Sequence, residues 1–222
     1  MAAIGNNLQA VRARLERAPG VILLAVSKGH GVDAIREAAA AGQKAFGENY
    51  VQDAVEKMTA LGPRARDLEW HLIGPLQSNK TRTAAERFDW VQTVASEKIA
   101  RRLAAQRPAH LPPLNVLIQV NVSGEGTKAG ISPSAAAALA SVVSSLEKIR
   151  LRGLMAIPEP GADRSRYAEV RKIFTALKGE FRWDTLSMGM SDDMDVAIAE
   201  GSTMVRIGTA IFGARPKVKS AA

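Results

Sequence analysis

The hydrophobic pattern of the chain alternates between short apolar runs and helical segments. Eight runs have the length and composition of strands, and amphipathic or alanine-rich segments separate them. This alternation is typical of a parallel α/β architecture, in which each strand is followed by a helix. The eight predicted strands are Val21–Ser27, Lys44–Gly47, Glu69–Ile73, Trp90–Thr93, Leu114–Asn121, Arg150–Ile157, Thr185–Met188 and Met204–Ile207.

Capping signals place several of the helices between these strands. The pattern predicts helices over Val32–Ala41 and Glu97–Gln106, the second with Ser96 as its N-cap, and a further helix over Ile4–Arg17 before the first strand. Ser191 precedes three aspartates, which predicts another helix start. Eight strands with their helices in 222 residues match a single (β/α)8 TIM barrel, for which about 250 residues are typical. An open doubly wound sheet is the alternative.

Composition narrows the range of functions. The chain has no cysteine, which excludes disulfides, thiolate nucleophiles and thiolate metal sites. The first twenty residues lack a signal-peptide core and no apolar run reaches the roughly 18 residues of a membrane span, so we expect a cytoplasmic protein without a membrane partner. The net charge is +8, but the basic residues are scattered and lack an aromatic platform, so we expect no nucleic-acid partner. Residues 1–216 are expected to form one domain and 217–222 a basic tail.

A lysine follows the first predicted strand. Lys28 comes directly after the run VILLAVS, and active sites of barrels form at the carboxyl ends of the strands. An amine enclosed there by apolar walls is expected to have a lowered pKa, because desolvation disfavours the ammonium form. A neutral amine is what imine formation with an aldehyde requires. The alternative is a surface lysine whose stem packs on the strand end while its amine stays in water.

The loops after strands seven and eight carry the signals of a phosphate site, which barrels commonly hold there. Gly189 and Ser191 follow strand seven, and Gly208 and Thr209 follow strand eight. Glycine lets the backbone approach an anion closely, and the two hydroxyls can donate hydrogen bonds to it. Arg206 adds a cation beside the first strand. Ser191 as a helix cap and Gly208 as a turn glycine are the alternatives.

Other polar residues at strand ends are less specific. Asn49 could contact a ring substituent or cap a helix, and Glu48 could be an acid or an ion-pair partner. His71 is expected to be a hydrogen-bonded core residue, and the three histidines have no spacing suited to a metal ion. Lys80 and Lys128 are candidates for a second anion-docking spot on the same rim, with solvated lysines as the alternative.

Several segments together resemble one protein family. They are AVSKG around Lys28, LIGPLQSNK, NVSGEGTKAGI, GLMAIP, LSMGMSDDMDVAI and STMVRIGTAIFG. Through them the chain resembles the pyridoxal 5′-phosphate homeostasis proteins, also called proline synthetase co-transcribed homologues, over about residues 4–214. The resemblance implies a barrel of the alanine-racemase type with pyridoxal phosphate as cofactor. The residues that it assigns to the cofactor are Lys28 for the Schiff base, Asn49 for the ring, Arg206 for the pyridine nitrogen, and Ser191, Gly208 and Thr209 for the phosphate.

The resemblance also implies what the protein does. An arginine opposite the pyridine nitrogen discourages protonation of the ring and weakens it as an electron sink. We therefore expect a monomeric carrier or buffer of the cofactor, without robust turnover, that serves vitamin B6 and amino-acid homeostasis and releases pyridoxal phosphate to apo-enzymes. The alternative is an enzyme, either an amino-acid racemase or a Schiff-base aldolase.

Overall fold

The computed structural model describes residues 2–123 and 129–214. Within these residues, eight parallel strands alternate with helices and close into a barrel. The strands are β1 (Ile22–Val26), β2 (Ala45–Glu48), β3 (Glu69–Leu72), β4 (Trp90–Val94), β5 (Leu114–Val120), β6 (Ile149–Ala156), β7 (Thr185–Ser187) and β8 (Met204–Ile207).

The helices lie outside the strands. They are α1 (Ala2–Leu15), α2 (Val32–Ala40), α3 (Val51–Leu61), α4 (Thr81–Arg87), α5 (Glu97–Gln106), α6 (Ala136–Ser144), α7 (Arg164–Phe181), α8 (Met194–Ala199) and α9 (Thr209–Phe212). Short 3₁₀ turns cover Gly62–Asp67, Ser78–Lys80 and Pro133–Ala135. In the part of the chain that the structure describes, no helix combines the length and the apolarity needed to cross a bilayer.

The barrel closes because β8 pairs with β1. Leu24 of β1 lies opposite Arg206 of β8, and every neighbouring pair of strands is parallel. All the carboxyl ends therefore meet at one end of the barrel, which we call the mouth. Among the eight described strands, closure also leaves no unpaired edge of the kind that an open sheet would expose.

Strand residues alternate between the barrel interior and the helix layer. Leu24, Val26, Ala45, Ile73 and Met204 form one inner apolar cluster. A second inner cluster consists of Trp90, Leu117 and Met155 from β4, β5 and β6, and the large cluster of other buried apolar side chains packs between the strands and the helices. This alternation decides which side chains at the strand ends face the mouth.

The N-terminal helix closes the outer layer beside β8. Its apolar stripe, Leu8, Val11 and Leu15, is buried. The Asn7 side-chain amide donates a hydrogen bond of 2.9 Å to the carbonyl of Ile211 in α9. Helix α1 therefore packs against the loop region that follows the last strand and fixes α9 from outside.

The structure confirms the predicted barrel with its additional N-terminal helix, and the open sheet is wrong. Each predicted strand overlaps an observed one, and α5 coincides with the predicted helix Glu97–Gln106. The hydroxyl of Ser96 caps that helix by accepting a hydrogen bond of 3.3 Å from the amide of Ile99. The division of the chain at residue 216 stays a prediction, because residues 215–222 lie outside the described residues.

Candidate functional site

Three of the predicted site residues follow inward-facing positions at the mouth. Lys28 continues the alternation of Leu24 and Val26, which belong to the inner cluster, and its side chain is half-buried. Asn49 continues the inward register of β2 and is also half-buried. Arg206 lies two residues after inward-facing Met204 and is 3% exposed. The barrel thus brings an amine, an amide and a guanidinium to one end of its interior.

The loop after β8 lies directly beside the loop that carries the lysine. A Cβ atom on Gly208 would lie 3.2 Å from the carbonyl oxygen of Val26, a tight contact, so the absence of a side chain lets the two backbones pass closely. Thr209 is the first residue of α9 and its side chain is exposed. Phe212 of the same helix packs against the ring of His30, with 5.3 Å between the ring centroids.

The loop after β7 is held by an aspartate. Gly189 has a φ of +90°, and a Cβ atom there would lie 2.6 Å from the Cβ of Ala197. Asp193 accepts a hydrogen bond of 2.6 Å from the amide of Met190 and another from the hydroxyl of Tyr167. The loop is therefore tied to α8 on one side and to α7 on the other.

The predicted helix start at Ser191 is wrong by two residues. Helix α8 begins at Met194, and Asp193 occupies the N-cap position. The aspartate is drawn into the loop by its bonds to Met190 and Tyr167, so Ser191 lies in the turn before the helix. Its half-buried hydroxyl forms no hydrogen bond with another residue in the ranges 2–123 and 129–214.

The guanidinium of Arg206 is hydrogen-bonded to residues of β6 and β7 through two of its three nitrogens. Its Nη1 donates to the carbonyl and the hydroxyl oxygens of Ser187 at 2.8 and 2.7 Å, and its Nη2 donates to the carbonyl of Ala156 at 2.9 Å. Among the described residues, Nε has no hydrogen-bond partner. Burial lowers the pKa of Arg206 to about 10, so the side chain stays a cation at neutral pH.

A buried ion pair lies behind the lysine-bearing loop. Lys57 of α3 donates to Glu48 Oε1 at 2.6 Å and to the carbonyl of Ser27 at 2.9 Å, and the hydroxyl of Ser27 donates to the same carboxylate oxygen at 2.6 Å. Burial raises the pKa of Glu48 against the opposing effect of Lys57. Of the two roles open to Glu48, the structure supports the ion-pair partner. Ser27, the residue before Lys28, is therefore bonded through both its hydroxyl and its carbonyl.

Three further candidates remain, namely His71, Lys80 and Lys128. His71 is a core residue, as predicted, and Lys80 is a half-buried residue at the end of a 3₁₀ turn after β3. Lys128 lies outside the described residues. The sequence pattern does not indicate the contacts of Lys57 and Asp193, because neither stands directly after a strand and each bonds to residues of other elements.

The geometry suits a phosphorylated aldehyde with an aromatic ring. The described residues offer an inward-directed lysine, two hydroxyls beside glycine-containing loops, an amide and one unused Nε of a buried arginine. A phosphate requires donors and close backbone approach, which the loops after β7 and β8 supply together. A ring nitrogen that accepts a hydrogen bond would match the remaining donor of Arg206.

Comparisons with known proteins agree with this geometry. The family model described as "Alanine racemase, N-terminal domain" matches residues 1–216. A protein of Pseudomonas aeruginosa named "Pyridoxal phosphate homeostasis protein" is 52% identical over 97% of this chain and 97% of its own length. The protein of the same name from Escherichia coli K12 is 54% identical over 97% of this chain and 95% of its own length.

Solved structures extend the comparison. PipY of Synechococcus elongatus, solved with PLP bound, superposes with a TM-score of 0.86 at 40% identity and covers 95% of this chain and 100% of its own. An alanine racemase of Clostridium difficile shares the fold alone, with a TM-score of 0.77 at 13% identity over 98% of this chain and 58% of its own. The chain belongs to the pyridoxal phosphate homeostasis proteins, within the family of the alanine racemase N-terminal domain.

Proposed function

We propose that this chain binds pyridoxal 5′-phosphate through a Schiff base on Lys28 and acts as a carrier and buffer of the cofactor. One observation carries the proposal: Lys28, Asn49 and Arg206 share the inward register at the mouth of one closed barrel. A lysine amine condenses with the cofactor's aldehyde and releases one water molecule. The reverse reaction with water frees the cofactor again, so binding is covalent and reversible.

The other site residues bind the rest of the cofactor. The hydroxyls of Ser191 and Thr209 donate to the phosphate, and the backbone at Gly208 approaches it closely. Asn49 contacts the ring, and Nε of Arg206 donates to the pyridine nitrogen. These assignments are supported by the inward register and by the unused donors of the described residues.

The cation at the ring nitrogen argues for a carrier. Pyridoxal phosphate supplies an aldehyde and an electron-withdrawing ring, and that ring is most effective when its nitrogen is protonated. Arg206 donates a hydrogen bond but keeps its own proton, since its pKa of about 10 is far above that of a pyridine. We therefore propose slow or no turnover, with release of the cofactor to apo-enzymes.

Reduction with borohydride tests the Schiff base. Borohydride converts an imine into a stable secondary amine, so peptide mass mapping then identifies the modified lysine. We expect the label on Lys28 and an absorbance band of the protonated imine before reduction. Lys44→Ala is a control variant that should keep both the label and the absorbance band, because Lys44 is exposed and precedes β2 at the opposite end of the barrel. A wild-type label on any other lysine would refute the assignment.

Two further measurements separate the carrier from an enzyme. Incubation with alanine in deuterium oxide over hours measures exchange at the α-carbon, which a racemase catalyses and a carrier does not. Mixing the loaded protein with an apo-enzyme measures transfer as recovered activity of the recipient. Exchange at enzyme-like rates, about 1 per second or faster, would favour the racemase.

A further inference from the structure

Inward-facing polar side chains form an unbroken hydrogen-bond chain from the mouth to the opposite end of the barrel. The Nη1 of Arg206 donates to Ser187 Oγ at 2.7 Å, and Ser187 Oγ donates to Gln92 Oε1 at 2.8 Å. Gln92 Nε2 lies 2.9 Å from His71 Nδ1, and His71 Nε2 lies 2.7 Å from Glu69 Oε1. Four strands, β8, β7, β4 and β3, contribute to the chain.

The two ends of the chain fix the direction of every bond. Arginine can only donate, so Ser187 Oγ accepts from Arg206 and its own hydrogen is directed to Gln92. A carboxylate can only accept, so His71 must carry its hydrogen on Nε2, toward Glu69, and its Nδ1 accepts. Gln92 satisfies both neighbours only with its oxygen toward Ser187 and its nitrogen toward His71.

The charges of the end groups agree with this direction. Burial lowers the pKa of His71, so the imidazole is neutral at neutral pH and has one donor and one acceptor. The hydrogen bond from His71 lowers the pKa of Glu69, which is therefore a carboxylate. Arg206 is the cation at the other end. A chain of bonds that all point from a cation to an anion is mutually polarised, which strengthens each bond.

The three middle members are closed off from solvent, and the nitrogen of Gln92 has one further contact, of 3.2 Å to the sulfur of Met204. Ser187, Gln92 and His71 are all completely buried. The ring of His71 stacks on Trp90, with 5.1 Å between the centroids and 9° between the planes. A buried donor or acceptor that lost its partner here would have no water to replace it. The chain is therefore a rigid support behind the arginine.

We infer that Ser187, Gln92 and His71 are positioning residues for the cofactor, which hold Arg206 so that its Nε faces the ring nitrogen as a fixed, charged donor. The inference rests on the proposed function and deepens it. None of the three has a surface open to a ligand, since all are completely buried. They act through the guanidinium, whose Nη1 is the first donor of the chain and whose Nε stays available for the ligand.

The tautomer of His71 tests the chain in the protein without added cofactor. The sequence contains three histidines, so nitrogen-15 NMR with a His71→Gln variant for assignment identifies its two ring nitrogens. We expect a neutral ring with the hydrogen on Nε2. A hydrogen on Nδ1, or an imidazolium at neutral pH, would contradict the direction of the chain and overturn the inference.

Gln92 variants test the effect on the cofactor. Gln92→Leu removes the link between Ser187 and His71, and we expect binding of pyridoxal phosphate about fivefold weaker, which corresponds to ~1 kcal/mol or one hydrogen bond. The imine absorbance maximum should shift as well, because the donor at the ring nitrogen moves. Met155→Leu, a volume-conserving change in the second inner cluster, is the matched control and should leave both unchanged.

Gln92→Glu keeps the shape of the side chain and remains informative if the leucine variant does not fold. A carboxylate cannot donate to His71 Nδ1, so we expect the imidazole to become protonated on both nitrogens, which NMR detects directly. A folded Gln92→Leu protein with wild-type affinity and spectrum would overturn the positioning role. If the wild-type protein itself did not bind the cofactor, the proposed function would be refuted. The tautomer of His71 would still show whether the hydrogen-bond chain exists.

Discussion

Replacing Lys57 by methionine should destabilise the protein strongly and in a pH-dependent way. Lys57 is 12% exposed and its partner Glu48 is completely buried. The substitution removes two hydrogen bonds, to Glu48 Oε1 and to the carbonyl of Ser27. Glu48 Oε2 already has no partner among the described residues, so the carboxylate would keep a single bond, from the hydroxyl of Ser27.

The expected loss follows from the cost of an uncompensated buried charge. Removing one partner of a buried ion pair costs roughly 3–5 kcal/mol, far more than the pair contributes at a surface. Glu48 limits the loss by taking up a proton, since its pKa is already raised by burial and would rise further without Lys57. The full cost should therefore be seen only where the carboxyl is ionised.

The sign of the pH dependence follows from the raised pKa. A folded state with a raised carboxyl pKa binds more protons than the unfolded state, so stability is lost as the pH rises from about 4.5 through the folded pKa. We expect Lys57→Met to lose roughly 3–5 kcal/mol near pH 8 and clearly less near pH 5. Urea denaturation at both pH values, followed by circular dichroism, measures the difference.

A double variant serves as the control. Lys57→Met combined with Glu48→Gln removes the charge together with its partner, so most of the stability should return and the pH dependence should disappear. A loss below ~1 kcal/mol at both pH values, as for an exposed pair, would refute the reasoning. Such a small loss would mean that water reaches Glu48, because a hydrated carboxylate needs no ion-pair partner.

Three further predictions concern the loops and the interior. Gly189→Ala should lower the stability measured by thermal denaturation by roughly 1–3 kcal/mol and weaken cofactor binding, because the positive φ and the contact with Ala197 leave no room for a Cβ. A variant with unchanged stability and intact binding would contradict this. Tyr167→Phe removes the bond to Asp193 and should cost about 1 kcal/mol, measured by urea denaturation, with faster cofactor release. The free energy of unfolding should decrease as the pH is lowered from about 7 to 5, with the decrease beginning near pH 6.5. Burial lowers the pKa of His71, so the unfolded state takes up a proton that the folded state does not bind. His71→Gln should remove this pH-dependent loss of stability.

The strands could be predicted from the sequence because their signal is local. Each is a short apolar run bounded by polar or glycine residues, and the strand–helix alternation determines the fold class. The same pattern also predicts which residues lie at the mouth, because these positions come at or directly after the predicted carboxyl ends of the strands. Ser191 shows the limit of this reasoning: its helix starts two residues later because Asp193 bonds to Met190 and Tyr167, and Tyr167 lies on a different helix.

The supporting contacts could not be predicted because they depend on which strands meet across the barrel. Gln92 reads as one polar residue within a strand, and nothing near it in the sequence indicates that Ser187 and His71 lie on either side. The separation along the chain is 95 residues to Ser187. Lys57 likewise reads as an ordinary helical lysine, and only the packing of α3 on the barrel directs it to Glu48.

The two supports lie on opposite faces of the barrel wall. The outward-facing pair of Lys57 and Glu48 fixes Ser27, and hence the backbone from which Lys28 extends. The inward-facing chain through Gln92 fixes Arg206. The two residues proposed to bind the cofactor, Lys28 and Arg206, are thus supported by buried groups, so a ligand that they bind would lose little entropy in ordering them. The proposed carrier would gain from this arrangement, because a preorganised site can bind tightly while the proposed covalent bond to Lys28 remains open to hydrolysis.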